Sequence, residues 1–232
     1  MKKFIVASAI LGAIATVSFA SAPFTPGSVV VYYSFNNTNL LDGTTAGTNA
    51  YLAADTGSSI SAFSYKQGSA NVASGPITIV SGITTNDEPG FSSGNSVSGN
   101  NWIGTTNYFQ FTLNSTGYMS EYLSWAANRS ATGPTNIMVD YSSDSGGTFA
   151  SVGPITVISA SNQLYIVDLS AITALDNNSG DIFRLRSTGA AVGGTMRLDN
   201  FTITATAIPE PSTVMLVGAG LLGLVAIRRW RS

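Results

Sequence analysis

Cysteine and histidine are both missing from the 232 residues of this chain. Without them the protein cannot form disulfides, use a thiol nucleophile or build the Cys/His sites that are typical of zinc. A Ser-His-Asp triad is excluded as well, and so is the usual general base at neutral pH. The chemistry that remains is that of carboxylates, hydroxyl groups and oxygen-bound cations such as calcium. We expect no cofactor and assign no metal ligands.

Charge is scarce, because Asp, Glu, Lys and Arg make up 9% of the residues against 44% hydrophobic residues. The apolar residues are concentrated at the two ends of the chain. Between Ser21 and Ile208 the body has five basic and eleven acidic residues, which gives a net charge of −6. Such a body offers no basic patch for a phosphate backbone, so nucleic acid is not an expected partner. Its length is sufficient for one domain with its own core.

The first twenty residues have the layout of a secretory signal peptide. Lys2 and Lys3 precede an apolar run over 4–17, and small residues follow at Ser18 and Ala20. We predict a signal peptide over 1–20 that is used by the Sec export machinery and cut after Ala20. The alternative interpretation of this run is a buried N-terminal helix.

A second apolar segment predicts a membrane helix over 213–227. Val214 to Ile227 contains no charged or hydrogen-bonding side chain. As a helix it would span about 21 Å, less than the roughly 30 Å of a bilayer core, so a buried core helix is the alternative. The basic tail at 228–232 favours the membrane, because Arg228, Arg229 and Arg231 would stay on the cytoplasmic side. The result would be a short and weak anchor.

Pro209-Glu210-Pro211 lies between the body and this apolar segment. Prolines on both sides of Glu210 favour an extended, accessible linker. Together with the apolar segment and the arginines, this triplet resembles the PEP-CTERM sorting domain of exported proteins from Gram-negative, exopolysaccharide-producing bacteria. The resemblance covers 208–232. It implies that an exosortase is the partner, that residues 209–211 are the recognition motif, and that Arg228, Arg229 and Arg231 fix the orientation in the membrane.

The body, 21–207, predicts an all-β fold in which two antiparallel sheets pack as a jelly-roll-like sandwich, flanked by the N-terminal signal helix and the C-terminal transmembrane helix. Alternating or β-branched runs separated by Gly, Pro and Asn turns carry this prediction. The predicted strands are 28–35, 76–80, 107–114, 118–127, 135–142, 154–158, 163–169, 181–187 and 194–205. The stretch 82–107 is dominated by Asn, Ser and Gly and is predicted to be a long surface loop.

Two short motifs in the body could carry chemistry. Residues 142–149 resemble an Asp-box, in which the carboxylate of Asp144 holds a hairpin turn, and we interpret the single copy as structural. Asp199-Asn200 lies in a stretch similar to the closing hairpin of lectin-like and carbohydrate-binding jelly rolls. That similarity would allow a structural calcium at Asp199, whereas an ion pair with Arg184, Arg186 or Arg197 is the interpretation that we prefer.

Candidate residues for catalysis and for glycan binding are few. A glycosidase needs two opposed carboxylates, and the candidates are Glu88 and Glu121, although a place for Glu121 at the solvent edge is favoured. Trp102 and Trp125 could stack on sugar rings, and Tyr108, Tyr118 and Tyr122 could assist them. The alternative is that these aromatic residues belong to the core.

We therefore predict a non-enzymatic protein of the cell surface or the extracellular matrix, with a structural or interaction role. It would be exported, held transiently in the inner membrane and then processed by an exosortase. The first alternative is a lectin-like module that binds polysaccharide, with exopolysaccharide as its partner. The second alternative is a glycan hydrolase.

Overall fold

The computed structural model describes residues 27–36, 54–57, 63–67, 77–83, 94–103, 107–152, 158–189 and 192–209. These residues form strands, turns and loops without any helix, which confirms the predicted all-β class. The predicted signal peptide, the transmembrane helix and nearly all of the strand predicted at 154–158 lie outside the described residues. The twelve strands of the described residues are β1 (Ser28–Tyr33), β2 (Thr56–Gly57), β3 (Ser64–Gln67), β4 (Ile77–Ser81), β5 (Asn95–Ile103), β6 (Asn107–Leu113), β7 (Tyr118–Arg129), β8 (Ile137–Ser142), β9 (Ala150–Val152), β10 (Gln163–Asp168), β11 (Asp181–Ser187) and β12 (Val192–Ala207).

The strands form two antiparallel sheets, as predicted. The large sheet has the order β10-β7-β12-β1-β2, and β5 and β4 extend it beside β12. The small sheet has the order β3-β6-β11-β8-β9. Strand β12 is 16 residues long and organises the large sheet. One of its edges pairs with β7, while the other pairs first with β5 and then with β1.

Alternating side chains bury the inner face of each sheet. Strands β6 and β11 both alternate strictly between buried and partly exposed residues, the pattern of a sheet with one wet face. Phe111 of β6 and Phe201 of β12 stack across the interior, with ring centroids 3.4 Å apart and ring planes 5° from parallel. Both side chains are at most 1% exposed. This pair therefore joins the two sheets at the centre of the core.

The surface loop predicted for 82–107 is wrong, because β5 (Asn95–Ile103) runs through it. Val97 and Trp102 of this strand are completely buried. Its sequence has few β-branched residues, and its conformation is held by ladders to β4 and β12 on its two edges. At Gly99 an added Cβ would lie 2.9 Å from the Phe109 ring and from Trp102 Nε1. Glycine is thus needed where β5 contacts the rings of Phe109 and Trp102. Because glycine has no side chain, it interrupts the alternation of apolar and polar residues from which strands are predicted.

The Asp-box interpretation is confirmed as a turn between β8 and β9. Asp144 accepts hydrogen bonds from the Ser142 hydroxyl at 2.6 Å, and from the amide and the hydroxyl of Thr148 at 2.9 and 2.7 Å. These donors, led by Ser142, lower the pKa of Asp144 to about 2. Gly146 lies at φ +92°, in the left-handed region that glycine adopts without strain. The motif therefore acts as a turn that connects two strands of the small sheet.

Candidate functional site

Trp102 and Trp125 do not form a sugar-stacking platform in this structure. Both side chains are 0% exposed. Trp102 packs against Tyr65 and Phe109 and donates its indole hydrogen to Gly99 O at 2.8 Å, while Trp125 stacks on Tyr165. A ring with no exposed surface cannot receive a sugar from solvent, so the interpretation that placed glycan stacking on these two residues is wrong. Both belong to the core.

Tyr108 lies in a different environment, on the outer face of the small sheet beside Arg184. The guanidinium carbon of Arg184 is 4.5 Å from the centroid of the Tyr108 ring and 3.4 Å from that of Phe149. Its Nε donates to Gln110 Oε1 at 2.9 Å. We name Tyr108, Gln110, Phe149 and Arg184 the Arg184 cluster. Its residues converge because β6 and β11 are neighbours, with Gln110 opposite Arg184 in the ladder.

The Arg184 cluster has hydrogen-bond donors that could bind a ligand. Among the described residues, the two terminal nitrogens of Arg184 have no partner, since only its Nε is bonded. Partial burial by the two rings lowers the pKa of Arg184, against the opposing effect of Tyr108 and Asp140. Its usual value is so high that the charge is kept. Phe149 was not among the predicted binding residues, and Arg184 was predicted only as a partner for Asp199, although the alternation of β11 assigns Arg184 to the outer face.

A second arginine on this face is already paired. Arg186 forms a bidentate ion pair with Asp140 of β8, with an Nε–Oδ2 distance of 2.5 Å and an Nη2–Oδ1 distance of 2.9 Å. Ser151 of β9 also donates to Asp140, at 2.6 Å. Hydrogen bonding to Asp140 raises the pKa of Arg186. Arg186 therefore stabilises the sheet, and Arg184 is the arginine of this face that remains open to a ligand.

Asp199 and Asn200 lie inside the large sheet, where β12 bulges against β7. Both residues are at most 1% exposed, and Asn200 has a φ of 49°. Asp199 accepts from the amides of Ile83 and Asn200 at 2.6 and 2.9 Å. Asn200 accepts from the Tyr32 hydroxyl and donates to Ile83 O. These contacts fasten residue 83 to the bulge. Among the described residues, Arg184 bonds to Gln110 and Arg186 to Asp140.

Glu121 is buried, contrary to the expectation that it lies at the solvent edge. The residue is 0% exposed, and neither carboxylate oxygen has a hydrogen-bond partner among the described residues. Asp181, at the start of β11, is also 0% exposed, and its Oδ1 has no partner in the same part of the chain. Burial, followed by the charge of Asp176, raises the pKa of Glu121 to about 7. Burial and the charges of Glu121 and Asp176 raise the pKa of Asp181 to about 7 as well. Glu88 lies outside the described residues.

The Ser115 hydroxyl lies at the centre of these buried acidic groups. It is 2.7 Å from Asp181 Oδ2, 2.8 Å from Leu175 O and 2.9 Å from Asn178 O. The loop between β10 and β11 covers this end of the sandwich, and Asp176 of that loop accepts from the Ser120 amide at 2.9 Å. We name Ser115, Glu121, Asp181 and the carbonyls of Leu175 and Asn178 the Ser115 cluster. Nothing in the sequence pointed to Asp181, because the residues that surround it come from three separate segments.

The described chain closes its last strand directly before the proline-rich triplet. Strand β12 ends at Ala207, and the amide of Ile208 donates to Gly117 O at 2.8 Å. Pro209 is exposed. Glu210, Pro211, Arg228, Arg229 and Arg231 lie outside the described residues, and their assigned roles stay predictions. In the described part of the chain, no helix has the length and apolar character that crossing a bilayer requires.

Residues 207–231 match the PEP-CTERM protein-sorting motif. The chain therefore carries the sorting signal that its sequence resembles, at the position predicted for it. The motif covers the triplet, the apolar segment and the arginines. No curated protein sequence matches the chain significantly.

Several solved β-sandwich structures are similar to the chain in fold. The CBM22-1 xylan-binding domain of Xyn10C from Paenibacillus barcinonensis shares 12% identity at a TM-score of 0.47, with 79% of this chain and 98% of that domain covered. The xylan-binding module CBM15 shares 12% identity at a TM-score of 0.41, with 57% and 99% covered. The K2 cleaved adhesin domain of Lys-gingipain shares 13% identity at a TM-score of 0.39, with 61% and 89% covered. At these values the similarity concerns the fold alone.

Proposed function

We propose that this chain is an exported, non-enzymatic protein that an exosortase sorts and processes through the PEP-CTERM signal, and that its β-sandwich is delivered to the cell surface or the extracellular matrix. The observation that carries the proposal is the match of residues 207–231 to the sorting motif. The Sec machinery and the inner membrane are the partners on the way, since the chain has the predicted signal peptide over 1–20 and the predicted spanning helix over 213–227.

The end of the folded domain supports this role. Because β12 is complete at Ala207 and pairs with β1 and β7 along its second half, the sheet does not need the triplet to close. In the part of the chain that the structure describes, the last backbone hydrogen bond is made by Ile208, and Pro209 directly after it is exposed. Prolines on both sides of Glu210 favour an extended segment, which a membrane enzyme could reach. The cut would then release the sandwich without breaking its ladders.

The experiment replaces Pro209, Glu210 and Pro211 by alanine in the full-length chain, expressed in a host with an exosortase. We expect the wild type to be recovered from the cell surface or the medium with a mass that lacks the C-terminal arginines. The triple variant should remain in the membrane fraction at the mass of the chain without residues 1–20. A matched control replaces Ser212 and Thr213 by alanine and should be processed normally. Wild-type and triple-variant proteins of identical final mass would contradict the proposal.

The absence of catalysis is part of the same proposal. Glu121 was the strongest acid candidate, and its carboxylate has no exposed surface from which to reach a glycan. A structural or interaction role suits the remaining features of the body. Turnover of a polysaccharide by the purified protein that is lost in Glu121→Gln would contradict this interpretation.

A second candidate function is binding of an acidic polysaccharide at the Arg184 cluster. The specific observation is the guanidinium of Arg184, which two aromatic rings and Gln110 hold in place while its terminal nitrogens lack partners among the described residues. An arginine oriented in this way matches the two oxygens of a uronic acid carboxylate, and an adjacent tyrosine can pack on the sugar ring. The remainder of the body is acidic, so the binding would depend on this local positive charge.

Polygalacturonate and neutral xylan are suitable probes for this second function. We expect the protein to bind polygalacturonate and not xylan, and Arg184→Ala should weaken the binding about 10- to 100-fold, the equivalent of losing charge-assisted hydrogen bonds. Arg184→Lys should also weaken it, because an ammonium group has no planar fork. Arg197→Ala is the matched control, since it removes one positive charge from the large sheet. Equal losses in Arg184→Ala and Arg197→Ala would show that only net charge matters.

A further inference from the structure

The Ser115 cluster contains more oxygen atoms than hydrogen-bond donors. The hydroxyl of Ser115 has one hydrogen, yet three acceptor oxygens lie within 2.9 Å of it. It can donate to only one of them, so the other two contacts join oxygens with no proton between them. The backbone amide of Asn178 donates to Ser115 Oγ at 3.1 Å, and the backbone amide of Ser115 donates to Asn178 O at 2.6 Å. Neither amide supplies a proton to Leu175 O or to the carboxylates of Asp181 and Glu121.

Two carboxylates increase this imbalance. Among the residues that the structure describes, both carboxylate oxygens of Glu121 and Oδ1 of Asp181 are buried without a hydrogen-bond partner, and both residues are 0% exposed. Hydrogen bonds hold these groups at one end of the sandwich. The amide of Ser120, next to Glu121, donates to Asp176 Oδ1 at 2.9 Å, and Ser115 Oγ donates to Asp181 Oδ2 at 2.7 Å. Leaving buried carboxylates unpaired is strongly destabilising, whereas a bound cation would satisfy all of these oxygens together.

We propose that the Ser115 cluster binds one calcium ion, with the carboxylates of Glu121 and Asp181, the hydroxyl of Ser115 and the carbonyl oxygens of Leu175 and Asn178 as ligands. All of these ligands are oxygen atoms, and they include both charged and neutral groups. Ca²⁺ prefers such a set of ligands. Counting both Glu121 oxygens, the set reaches about six ligands, the lower end of the range for calcium. No group of three or more His, Cys, Asp or Glu side chains in the described part of the chain is arranged to hold a metal ion, so the site would depend on two carboxylates together with neutral oxygens.

The ion would add a link between side chains of the two sheets and the loop that covers this end. Ser115 lies in the turn between β6 and β7, Glu121 in the large sheet and Asp181 in the small sheet. Leu175 and Asn178 belong to the loop that covers this end. Calcium would thus tie the two sheets and the covering loop together, in a protein that is proposed to work outside the cell.

The test measures thermal unfolding of the full-length chain in mild detergent at pH 8, first in EDTA and then with 10 mM Ca²⁺. For an affinity typical of extracellular calcium modules, about 0.1 to 1 mM, the ion should raise Tm by about 3 to 10 °C. Glu121→Gln and Asp181→Asn, which keep the side-chain shape, should abolish the shift. Asp55→Asn is the matched control, because it removes a carboxylate outside the cluster, and it should keep the shift.

Titration calorimetry of the wild type gives a reading that does not depend on the variants. One Ca²⁺ should bind per chain, and Mg²⁺ at the same concentration should bind more weakly because it requires a smaller octahedral site. A wild-type Tm that is the same in EDTA and in Ca²⁺, with no heat of binding, would overturn the proposal and leave the two carboxyl groups neutralised by protons. A full Ca²⁺ shift in Glu121→Gln would overturn the assignment of the ligands.

Discussion

The stacked pair of Phe111 and Phe201 makes a quantitative prediction about how the two sheets are held together. Phe111 is 1% exposed, and its ring contacts those of Tyr33, Phe63 and Phe201 at centroid distances of 5.6, 5.1 and 3.4 Å. Replacing it by alanine removes the buried ring and leaves a cavity between the sheets. Buried Phe→Ala substitutions cost about 3 to 5 kcal/mol. With about 2 to 4 °C for each kcal/mol in a domain of this size, Tm should fall by roughly 6 to 20 °C.

The measurement is urea unfolding of the purified protein followed by tryptophan fluorescence. Trp102 and Trp125 are completely buried in the native state, so exposing them reports on global unfolding. Ile166→Ala is the control, because that side chain is 46% exposed on β10, and its cost should stay below about 1 kcal/mol. In the double variant of Phe111 and Phe201 the total loss should fall short of the sum of the single losses, by about 0.5 to 1.5 kcal/mol.

The reasoning would be refuted if Phe111→Ala unfolded within 1 kcal/mol of the wild type. It would also be refuted if the losses at Phe111 and Phe201 were simply additive. Either result would mean that the two rings do not share the contact that joins the sheets.

Two further predictions concern single residues outside this pair. Hydrogen bonds lower the pKa of Asp144 from 3.8 to about 2, so its carboxylate stabilises the fold above pH 4 and this contribution is lost as the pH falls through 2. Asp144→Asn should therefore lower Tm at pH 7. It should also reduce the decrease in Tm between pH 4 and pH 2. Gly99→Ala would place a methyl group 2.9 Å from the Phe109 ring and should destabilise the protein by about 1 to 3 kcal/mol, whereas Gly117→Ser, where an added Cβ has no neighbour, should cost only the strain of its positive φ. Both comparisons are made by thermal unfolding.

Part of the candidate site was predictable from strand phase. The alternation of β6 places Phe109, Phe111 and Leu113 on the inner face, and the same alternation in β6 and β11 assigns Tyr108 and Arg184 to the outer face. Glu121 was in phase with Leu123 and Trp125, and it is indeed buried beside them. The phase of a strand tells which face a residue occupies. It does not tell whether a loop covers that face. For Glu121, the burial of the carboxylate depends on the loop between β10 and β11.

Trp102 shows the limit of composition as a guide. The stretch 82–107 around this tryptophan is dominated by Asn, Ser and Gly, and the prediction of a surface loop followed from that composition. The ladders of β5 with β4 and β12 turn the stretch into an interior strand, and Gly99 makes room for the ring. Such pairing depends on residues about 20 and 100 positions away, which a local pattern does not include.

The sequence by itself determined the all-β class, the two antiparallel sheets and the PEP-CTERM signal, because period-2 alternation, turn residues and a contiguous motif are local properties of the chain. Only the tertiary structure decided that Trp102 and Trp125 are core residues, that Arg184 lies over two aromatic rings, and that Glu121 and Asp181 share one buried cluster. Those groups come from strands of both sheets and from a covering loop. Their environment is set by which segments pack together, and neither burial nor charge coupling can be read from the neighbours of a residue along the chain.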